Sequence, residues 1–428
     1  MPSQISLPPR RALRRILLPA GLFVLAVLVG ACGGGGGTAV DDVVVDETTT
    51  TTTTEAAIAV DETTTTAPQE QPLSPPTTRG PAPVLDVDPI EGFGAINVVS
   101  GEPSYRGILG QLDADRAVVQ AAALPPEQAP GTAPLTGLPL GDSSIAERPA
   151  MVVKIDNTAA ARPHAGLNDA DLVYVTQVEG GFTRLAAVFH SQTPPEIGPV
   201  RSARTTDISV FSSLNGPIFA WSGANPGHRV LIRRYEMVDL GAATRSEYYR
   251  AADRPSVYDL MTDPMVLWGI AESAGEGGAP PAHFEYRSEI TALPASAQAT
   301  SSFRIDYPSA TMEYAWNGSG WARTQNSEPH LDADDVPVAP ENVVIAEVRL
   351  VDTGKRDGAG SPVVEQQFIG SGRGWVFTDG QFVRVVWTKP SLDAAATWTT
   401  PDGVPVPLTP GQTWVELAPA DSVTIGES

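Results

Sequence analysis

Residues 172–189, LVYVTQVEGGFTRLAAVF, place two apolar runs on either side of a pair of glycines. The runs 172–178 and 182–189 have the composition of buried strands. The segment Glu179-Gly180-Gly181 between them is a turn signal, because glycine adopts the positive φ angles of tight hairpins without steric cost. The stretch therefore predicts a β-hairpin in the folded part of the chain.

The neighbours of this hairpin mix strands with helices. Residues 150–155 form a short apolar run that ends in Asp156-Asn157, which predicts a buried strand, and residues 218–221 predict another. Helices are predicted at 205–214, 230–240 and 259–274. Strands and helices in this order, with a hairpin among them, predict an α+β domain over residues 134–295.

The pattern changes after residue 296. Short strand-like runs follow one another between residues 303 and 417, and they are separated by the turn signals Asn317-Gly318, Asp379-Gly380 and Asp402-Gly403. This pattern predicts a smaller, mainly antiparallel β domain over residues 296–425. The fold class expected for the whole chain is therefore α+β, with a mixed domain followed by a β-rich one.

The N-terminal residues have the layout of a bacterial lipoprotein signal. Arginines at 10, 11, 14 and 15 precede an apolar run at 16–29, and Val29-Gly30-Ala31-Cys32 resembles a lipobox. The run is shorter than the roughly 20 residues that span a membrane comfortably. We predict a signal peptide at 1–31 and acyl chains, palmitate among them, on Cys32, which would anchor the protein on the extracytoplasmic face of the cell membrane. The alternative is an uncleaved anchor or an ordinary secretory signal.

Composition limits what the rest of the chain can do. Cys32 is the only cysteine, so the folded part can have no internal disulfide and no cysteine nucleophile. Residues 32–84 are rich in glycine, threonine and acids, which predicts a disordered tether, and residues 85–133 predict a partly ordered connector with a helix at 108–123. The net charge of -22 argues against nucleic acid as a partner.

Short strings in the folded part carry a family resemblance. They are L-T-G-L-P at 135–139, I-D-N at 155–157, V-E-G-G at 178–181, G-P-V-R-S-A-R at 198–204, P-H-L-D at 329–332 and G-Q-T-W at 411–414. Together they resemble the YerB-like bacterial lipoproteins, which are built on paired N- and C-terminal domains of unknown function. The resemblance covers roughly residues 134–420, and it implies a fold and an envelope location but no established reaction.

One departure from the family pattern concerns a histidine. The resemblance implies a Pro-His-Asn segment after an arginine, about fifty residues beyond the G-P-V-R-S-A-R string. The corresponding segment here is Arg254-Pro255-Ser256-Val257, which has no histidine. Any role that depends on that histidine would be lost or moved in this chain.

Arg201 and Arg204 lie just before the helix predicted from residue 205. A helix start offers free N–H groups and a partial positive charge, so the two arginines would complete an anion site. Further predicted ligand contacts are Arg184, Ser202 and Asn157. The alternative is a structural role, in which the two arginines pair with Asp156, Glu179 or Asp207.

Glu179 and Asp156 are the candidate catalytic carboxylates. Both lie at predicted strand ends, where a pair of acids could act as general acid and base on a glycan. An acid beside glycines can equally accept hydrogen bonds in a turn. Arg184 on the second hairpin strand could pair with Glu179, which would lower the pKa of that carboxylate and weaken it as an acid.

His330 is the third catalytic candidate. It lies two residues from Asp332, so an extended segment would place both on one side, where they could bind a metal or move a proton. A hydrogen-bonded loop is the alternative. The histidines at 164, 190, 228 and 283 form no closely spaced ligand pair, and nucleotide-binding motifs are missing, so we predict no metal site and no cofactor.

These observations predict a lipid-anchored cell-envelope protein that serves as a non-catalytic binding or scaffolding module. Its partner would be an anionic wall component, such as peptidoglycan or another anionic wall glycan, or a membrane-associated protein. The alternative function is a glycan- or peptidoglycan-active hydrolase that uses Glu179 and Asp156. A purely structural role in assembly is the third possibility.

Overall fold

The computed structural model describes residues 126, 128–242, 245–288, 292–357 and 360–426, together with two short strands at 84–86 and 97–99. The predictions for the signal peptide, Cys32, the tether and the 108–123 helix lie outside the described residues. The described residues belong to one compact unit, Pro75–Ser428.

Strands dominate the described residues, and α-helices are few and short. The strands in chain order are β1 (Val84–Asp86), β2 (Asn97–Val99), β3 (Met151–Asp156), β4 (Leu172–Gln177), β5 (Thr183–Phe189), β6 (Ile218–Ala220), β7 (Val238–Asp239), β8 (Tyr248–Arg250), β9 (Leu260–Thr262), β10 (Gln298–Ala299), β11 (Ser302–Tyr307), β12 (Ala310–Trp316), β13 (Trp321–Gln325), β14 (Glu328–Pro329), β15 (Asn342–Glu347), β16 (Arg349–Arg356), β17 (Pro362–Gln367), β18 (Gly370–Thr378), β19 (Gln381–Lys389), β20 (Thr397–Thr399), β21 (Thr413–Ala418) and β22 (Val423–Ile425). The helices are α1 (Thr206–Phe211), α2 (Pro226–Ile232) and α3 (Pro264–Ala274).

One large sheet runs through both halves of the folded part. Its strand order is β10-β19-β18-β15-β21-β4-β5-β3-β6-β7, with β20 added on β19. The predicted hairpin, β4 and β5, lies inside this sheet and is joined by the predicted Glu179–Gly181 turn. The junction between the halves is the parallel pairing of β21 with β4, in which Thr413 lies opposite Leu172. The main sheet therefore crosses the boundary predicted near residue 295.

Both faces of the main sheet are covered. Successive residues of β3 alternate between two apolar clusters: Val153 belongs to one and Val152 to the other. The first cluster includes α3 and a second, antiparallel sheet with the order β14-β13-β12-β11-β22, whereas the second includes α1 and α2. A strand buried on both faces reads as a continuous apolar run, which explains the composition of residues 150–155.

The predicted helices agree with the structure only in part. The helix predicted at 205–214 is confirmed as α1 with a following 3₁₀ turn, Ser212–Leu214. The helix predicted at 230–240 is wrong beyond Ile232, because Val238–Asp239 pairs with β6 as an edge strand. The helix predicted at 259–274 begins at Pro264, since proline lacks an N–H and holds the preceding residue extended, so 260–262 form β9.

The shared sheet predicts that the N-terminal half cannot fold alone. A chain that ends at residue 295 would leave β4 without β21 and would expose apolar side chains such as Val173 and Val175, which are fully buried in the full-length chain. We expect this truncated chain to aggregate, or to unfold without a cooperative thermal transition. Circular dichroism of the truncated and full-length proteins measures the difference, and a cooperative transition in the truncated chain would contradict the prediction.

Candidate functional site

A cleft of about 270 Å³ opens at the carboxyl end of β3, beside the turn that joins β4 to β5. The candidate residues that line it are Asp156, Glu179, Arg184, Arg201 and Arg204. Other residues in the lining include Thr158, Phe182, Thr183, Tyr258, Asp357 and Ser361. The structure thus brings together the arginines and carboxylates that the sequence singled out.

Backbone pairing brings these arginines and carboxylates together. Asp156 ends β3 directly opposite Arg184 on β5. The G-P-V-R-S-A-R segment runs along the other side of β3, where Arg201 N–H donates to the carbonyl of Lys154 at 2.7 Å. Both arginines of that segment therefore reach the strand end that carries Asp156.

Two ion pairs cross the cleft. Arg204 holds Glu179 through one edge of its guanidinium, with Nε 2.6 Å from Oε1 and Nη2 2.6 Å from Oε2. Arg201 Nε lies 2.8 Å from Asp156 Oδ2. The structural alternative for these arginines is thus observed.

Both carboxylates stay ionised at neutral pH. Burial works to raise the pKa of Glu179, but the hydrogen bonds and charge of Arg204 and the charge of Arg184 outweigh it, so the pKa lies below its ordinary value. Burial likewise opposes hydrogen bonds from Thr158 and the charges of Arg184 and Arg201 at Asp156, whose pKa is also lowered. Neither group holds a proton that it could donate to a leaving group.

Arg184 differs from the other two arginines. Its Nη1 donates to the carbonyl of Ser202 at 2.9 Å, and among the described residues no carboxylate lies within ion-pair distance of it. The pair predicted between Arg184 and Glu179 is therefore wrong, because Arg204 occupies that carboxylate. Burial lowers the pKa of Arg184 to about 10; the charges of Arg204 and Arg201 act in the same direction, and the charges of Asp156 and Glu179 oppose them. The guanidinium remains charged at neutral pH and faces the cleft without a counter-ion of its own.

Ser202 and Asn157 support the cleft wall and are not part of its lining. Ser202 provides the carbonyl that holds Arg184. Asn157 is buried and donates from Nδ2 to Thr183 Oγ1 at 2.8 Å. Their role as direct ligand contacts stays a prediction.

The start of α1 does not provide the predicted anion site. The backbone N–H of Arg204 donates to Asp207 Oδ2 at 2.7 Å, so the helix satisfies this group with its own side chain. With only six residues, α1 also has too small a dipole to attract an anion strongly. A positive charge at the cleft comes from the guanidinium groups instead.

A fully buried ion pair behind the cleft was missed by the sequence reasoning. Lys154 Nζ lies 2.6 Å from Asp207 Oδ1 and 2.8 Å from Thr176 Oγ1, and neither charged side chain is exposed. This pair fixes α1, and with it Arg204, against the sheet. The signal was present in the sequence, because a lysine inside the apolar run MVVKID must find a partner when the strand is buried.

His330 belongs to a buried hydrogen-bonded chain that ends at the cleft. Arg323 Nη1 lies 2.6 Å from His330 Nδ1, His330 Nε2 lies 2.7 Å from His164 Nδ1, and His164 Nε2 lies 2.7 Å from the carbonyl of Asp156. Arginine only donates, so each histidine accepts on one nitrogen and donates from the other, and both are neutral. Burial lowers the pKa of His164 to about 3, which agrees with this assignment.

The predicted cooperation of His330 with Asp332 is not observed. Asp332 turns away to accept the backbone N–H of Asn168 at 2.8 Å, while His330 points to His164. Over the described ranges, no three His, Cys, Asp or Glu side chains lie close enough together to hold a metal ion. His330 therefore joins the two halves of the protein and positions the end of β3.

The segment that lacks the family histidine lies at the rim of the cleft. The carbonyl of Val257 is 3.4 Å from Arg201 Nη1, and the neighbouring Tyr258 lines the cleft with its ring centroid 5.7 Å from the Arg201 guanidinium carbon. No histidine is among the residues that form the described lining. The rim in this chain thus has Ser256 where the resemblance implies an imidazole, with Val257 and Tyr258 next to it.

Comparisons with known proteins agree with this organisation. Residues 135–277 match the family model "Protein of unknown function (DUF3048) N-terminal domain", and residues 303–415 match the corresponding C-terminal domain. The protein named "Putative lipoprotein YerB" of Bacillus subtilis (strain 168) is 28% identical over 321 residues, which cover 69% of this chain and 89% of that protein. The crystal structure of YerB from Bacillus subtilis has a TM-score of 0.60 at 25% identity, over 69% of this chain and 99% of that one. In the part of this chain that the structure describes, we find no helix with the length and apolar character needed to cross a membrane.

The two kinds of arginine should respond differently to removal of their charge. In Arg204→Met, Glu179 is left as a largely buried carboxylate without a partner, which should lower the free energy of unfolding by about 3 kcal/mol. In Arg184→Met, a guanidinium without an ion pair is removed, and we expect a change within about 1 kcal/mol. Urea unfolding measures both, with exposed Arg304→Met as control. Equal losses in the two cleft variants would show that Arg184 is structural.

The buried histidines predict a protein that loses stability in mild acid. Burial lowers the pKa of all five, to about 3 for His164 and about 4 for the ones at 190, 228 and 283, and His330 lies well below its ordinary value. Below pH 6.5 the unfolded chain therefore binds more protons than the folded one, and each histidine contributes a loss of up to about 1.4 kcal/mol per pH unit. Glu365 acts in the opposite sense, because burial raises its pKa to about 7. Six further carboxylates with raised pKa values offset part of the loss in the same way, namely Asp169, Asp171, Asp332, Glu341, Glu347 and Glu416.

We expect the free energy of unfolding to be greatest above pH 6.5 and to fall steadily towards pH 5. Urea titrations at pH 7.5, 6 and 5 measure this dependence. In His164→Gln the free energy of unfolding should fall less steeply with decreasing pH, by up to about 1.4 kcal/mol per pH unit, because one buried histidine has been removed. A flat profile for the unaltered protein would contradict the assignment of neutral buried imidazoles.

Proposed function

The chain belongs to the DUF3048 family, and from this premise we propose that it is a lipid-anchored envelope protein that binds an anionic ligand in the cleft without converting it. The relative YerB is named a lipoprotein, which supports a membrane association for this chain as well. Acylation of Cys32 would supply the anchor, and a flexible tether of about 50 residues has a root-mean-square reach of roughly 40 Å. That reach would carry the cleft away from the membrane surface into the wall.

The charge of Arg184 is the observation that carries the proposal. Three guanidinium groups and three carboxylates line the cleft, and the two ion pairs join Arg201 to Asp156 and Arg204 to Glu179. Arg184 is the arginine of the lining that forms neither pair, and burial lowers its pKa to about 10. A buried charge without a partner is expensive, so an anion that enters the cleft gains an interaction that the protein alone does not satisfy.

The two carboxylates argue against the hydrolase alternative. Glycoside hydrolysis needs one carboxyl group with a raised pKa that donates a proton to the leaving oxygen. The pKa values of Glu179 and Asp156 are both lowered, and each is held by an arginine. The cleft therefore supports binding better than turnover.

Sedimentation with purified peptidoglycan tests the proposal on the full-length protein. We expect binding that weakens several-fold between about 50 and 300 mM salt, because the contact is electrostatic. Arg201→Ala should weaken binding several-fold further, since it removes a guanidinium that is still 27% exposed in the cleft. Arg304→Ala on β11, which also removes a half-exposed arginine, should leave binding unchanged.

The same samples test for turnover. We expect no release of reducing ends by the unaltered protein or by Glu179→Gln. Release by the unaltered protein that disappears in Glu179→Gln would overturn the proposal in favour of a hydrolase. Sedimentation that is independent of salt and equal in both arginine variants would remove the cleft from the binding reaction.

A further inference from the structure

The size of the cleft limits the ligand to a small unit. A volume of about 270 Å³ lies at the lower end of the range for ligand pockets. A single sugar ring with one substituent fits such a space, whereas an extended segment of polymer would have to lie largely outside it. The chemistry recognised inside the cleft is therefore that of one residue of a larger ligand, or of a small molecule.

The charges favour a monoanion. Arg201 and Arg204 are neutralised by Asp156 and Glu179, which leaves the single positive charge of Arg184. The lining also contains a third carboxylate, Asp357, so its formal charges balance, and a ligand with more than one negative charge would be repelled. A phosphate monoester carries about -1.5 to -2 at pH 7, so its charge exceeds what the cleft offers.

The free edge of Arg184 suits a carboxylate. Its Nη1 is engaged by the carbonyl of Ser202, so Nε and Nη2 remain as the donors that can turn to the cleft. These two N–H groups form a planar fork that matches the two oxygens of a carboxylate. The geometry of the anchored guanidinium thus selects a flat anion with two acceptors side by side.

Two aromatic side chains also line the cleft. Phe182 follows the Gly180-Gly181 turn and is 49% exposed although it lines the cleft. Tyr258 lines the cleft beside Arg201. An aromatic ring at the edge of a polar cleft offers an apolar face on which the C–H face of a sugar can pack.

We propose that the cleft binds one carboxylated sugar unit, with Arg184 holding the carboxylate and with Phe182 and Tyr258 packing against the ring. The inference rests on the proposed function and adds the chemical class of the ligand. It assigns Arg184 as the anion contact, and it leaves Arg201 and Arg204 as arginines whose first role is to hold Asp156 and Glu179.

A matched set of small ligands tests the assignment on the full-length protein by saturation-transfer and titration NMR. N-acetylmuramic acid and glucuronic acid carry both a ring and a carboxylate, N-acetylglucosamine has a ring without charge, and lactate has a carboxylate without a ring. N-acetylglucosamine 6-phosphate carries a ring and a phosphate monoester, and it tests whether the cleft accepts a dianion. We expect at least one carboxylated sugar to bind tenfold or more tightly than the three other ligands.

Variants separate the two contacts. Arg184→Met should weaken binding of the carboxylated sugar by tenfold or more, and Arg184→Lys should recover only part of it, because lysine lacks the fork. Phe182→Ala should weaken it several-fold and leave the weak binding of lactate unchanged. Arg304→Gln serves as the surface control, and thermal unfolding of each variant confirms that it is folded.

The outcomes also separate this inference from the proposed function. If peptidoglycan sedimentation remains salt-sensitive but neither carboxylated sugar binds, this inference is overturned while the proposed function stands. Tighter binding of the phosphorylated sugar, or binding of lactate equal to that of the sugars, would also overturn it. Binding of a carboxylated sugar that Arg184→Met leaves unchanged would place the site elsewhere and refute the assignment of the arginine.

Discussion

The parallel pairing of β21 with β4 is the constraint on which the rest of the structure depends. It makes one sheet from strands of both halves, and it is reinforced at its start, where Thr413 N–H donates to the carbonyl of Asp171 at 3.1 Å. Gln412 adds a side-chain hydrogen bond to the carbonyl of Ala170 at 2.7 Å. Because β4 leads directly into the turn that carries Glu179, the position of the cleft is set by contacts between segments more than 200 residues apart in the chain.

Buried polar groups hold the strand and the helix that form the cleft in position. The chain from Arg323 through His330 and His164 ends on the carbonyl of Asp156, so the second half of the protein holds the end of β3 in place. Lys154 and Asp207 do the same for α1 from the opposite face. Such groups contribute little net stability, but a misplaced partner would cost several kcal/mol, so they favour a single arrangement.

Local sequence patterns predicted several strands and helices, whereas contacts between distant segments determine how the strands pair and which side chains meet. The hairpin at 172–189 and the strand at 150–155 follow from runs of apolar residues and a glycine turn, and both are observed. No local sequence pattern predicts that Val238–Asp239 extends the main sheet, or that His330 contacts His164, which is 166 positions away in the chain. In the same way, the sequence patterns identified the arginines and carboxylates that line the cleft. Only the side-chain geometry shows that Glu179 forms its ion pair with Arg204 and that Arg184 forms none.

This unpaired arginine, together with the changed rim, argues for binding over catalysis. Arg184 is half-buried between two arginines and two carboxylates and forms no ion pair itself, so a ligand carboxylate would give it the partner that the described residues do not supply. The rim segment 254–257 has Ser256 where the resemblance implies a histidine. Both cleft carboxylates have lowered pKa values and each is held by an arginine, and this arrangement supports the binding function proposed above.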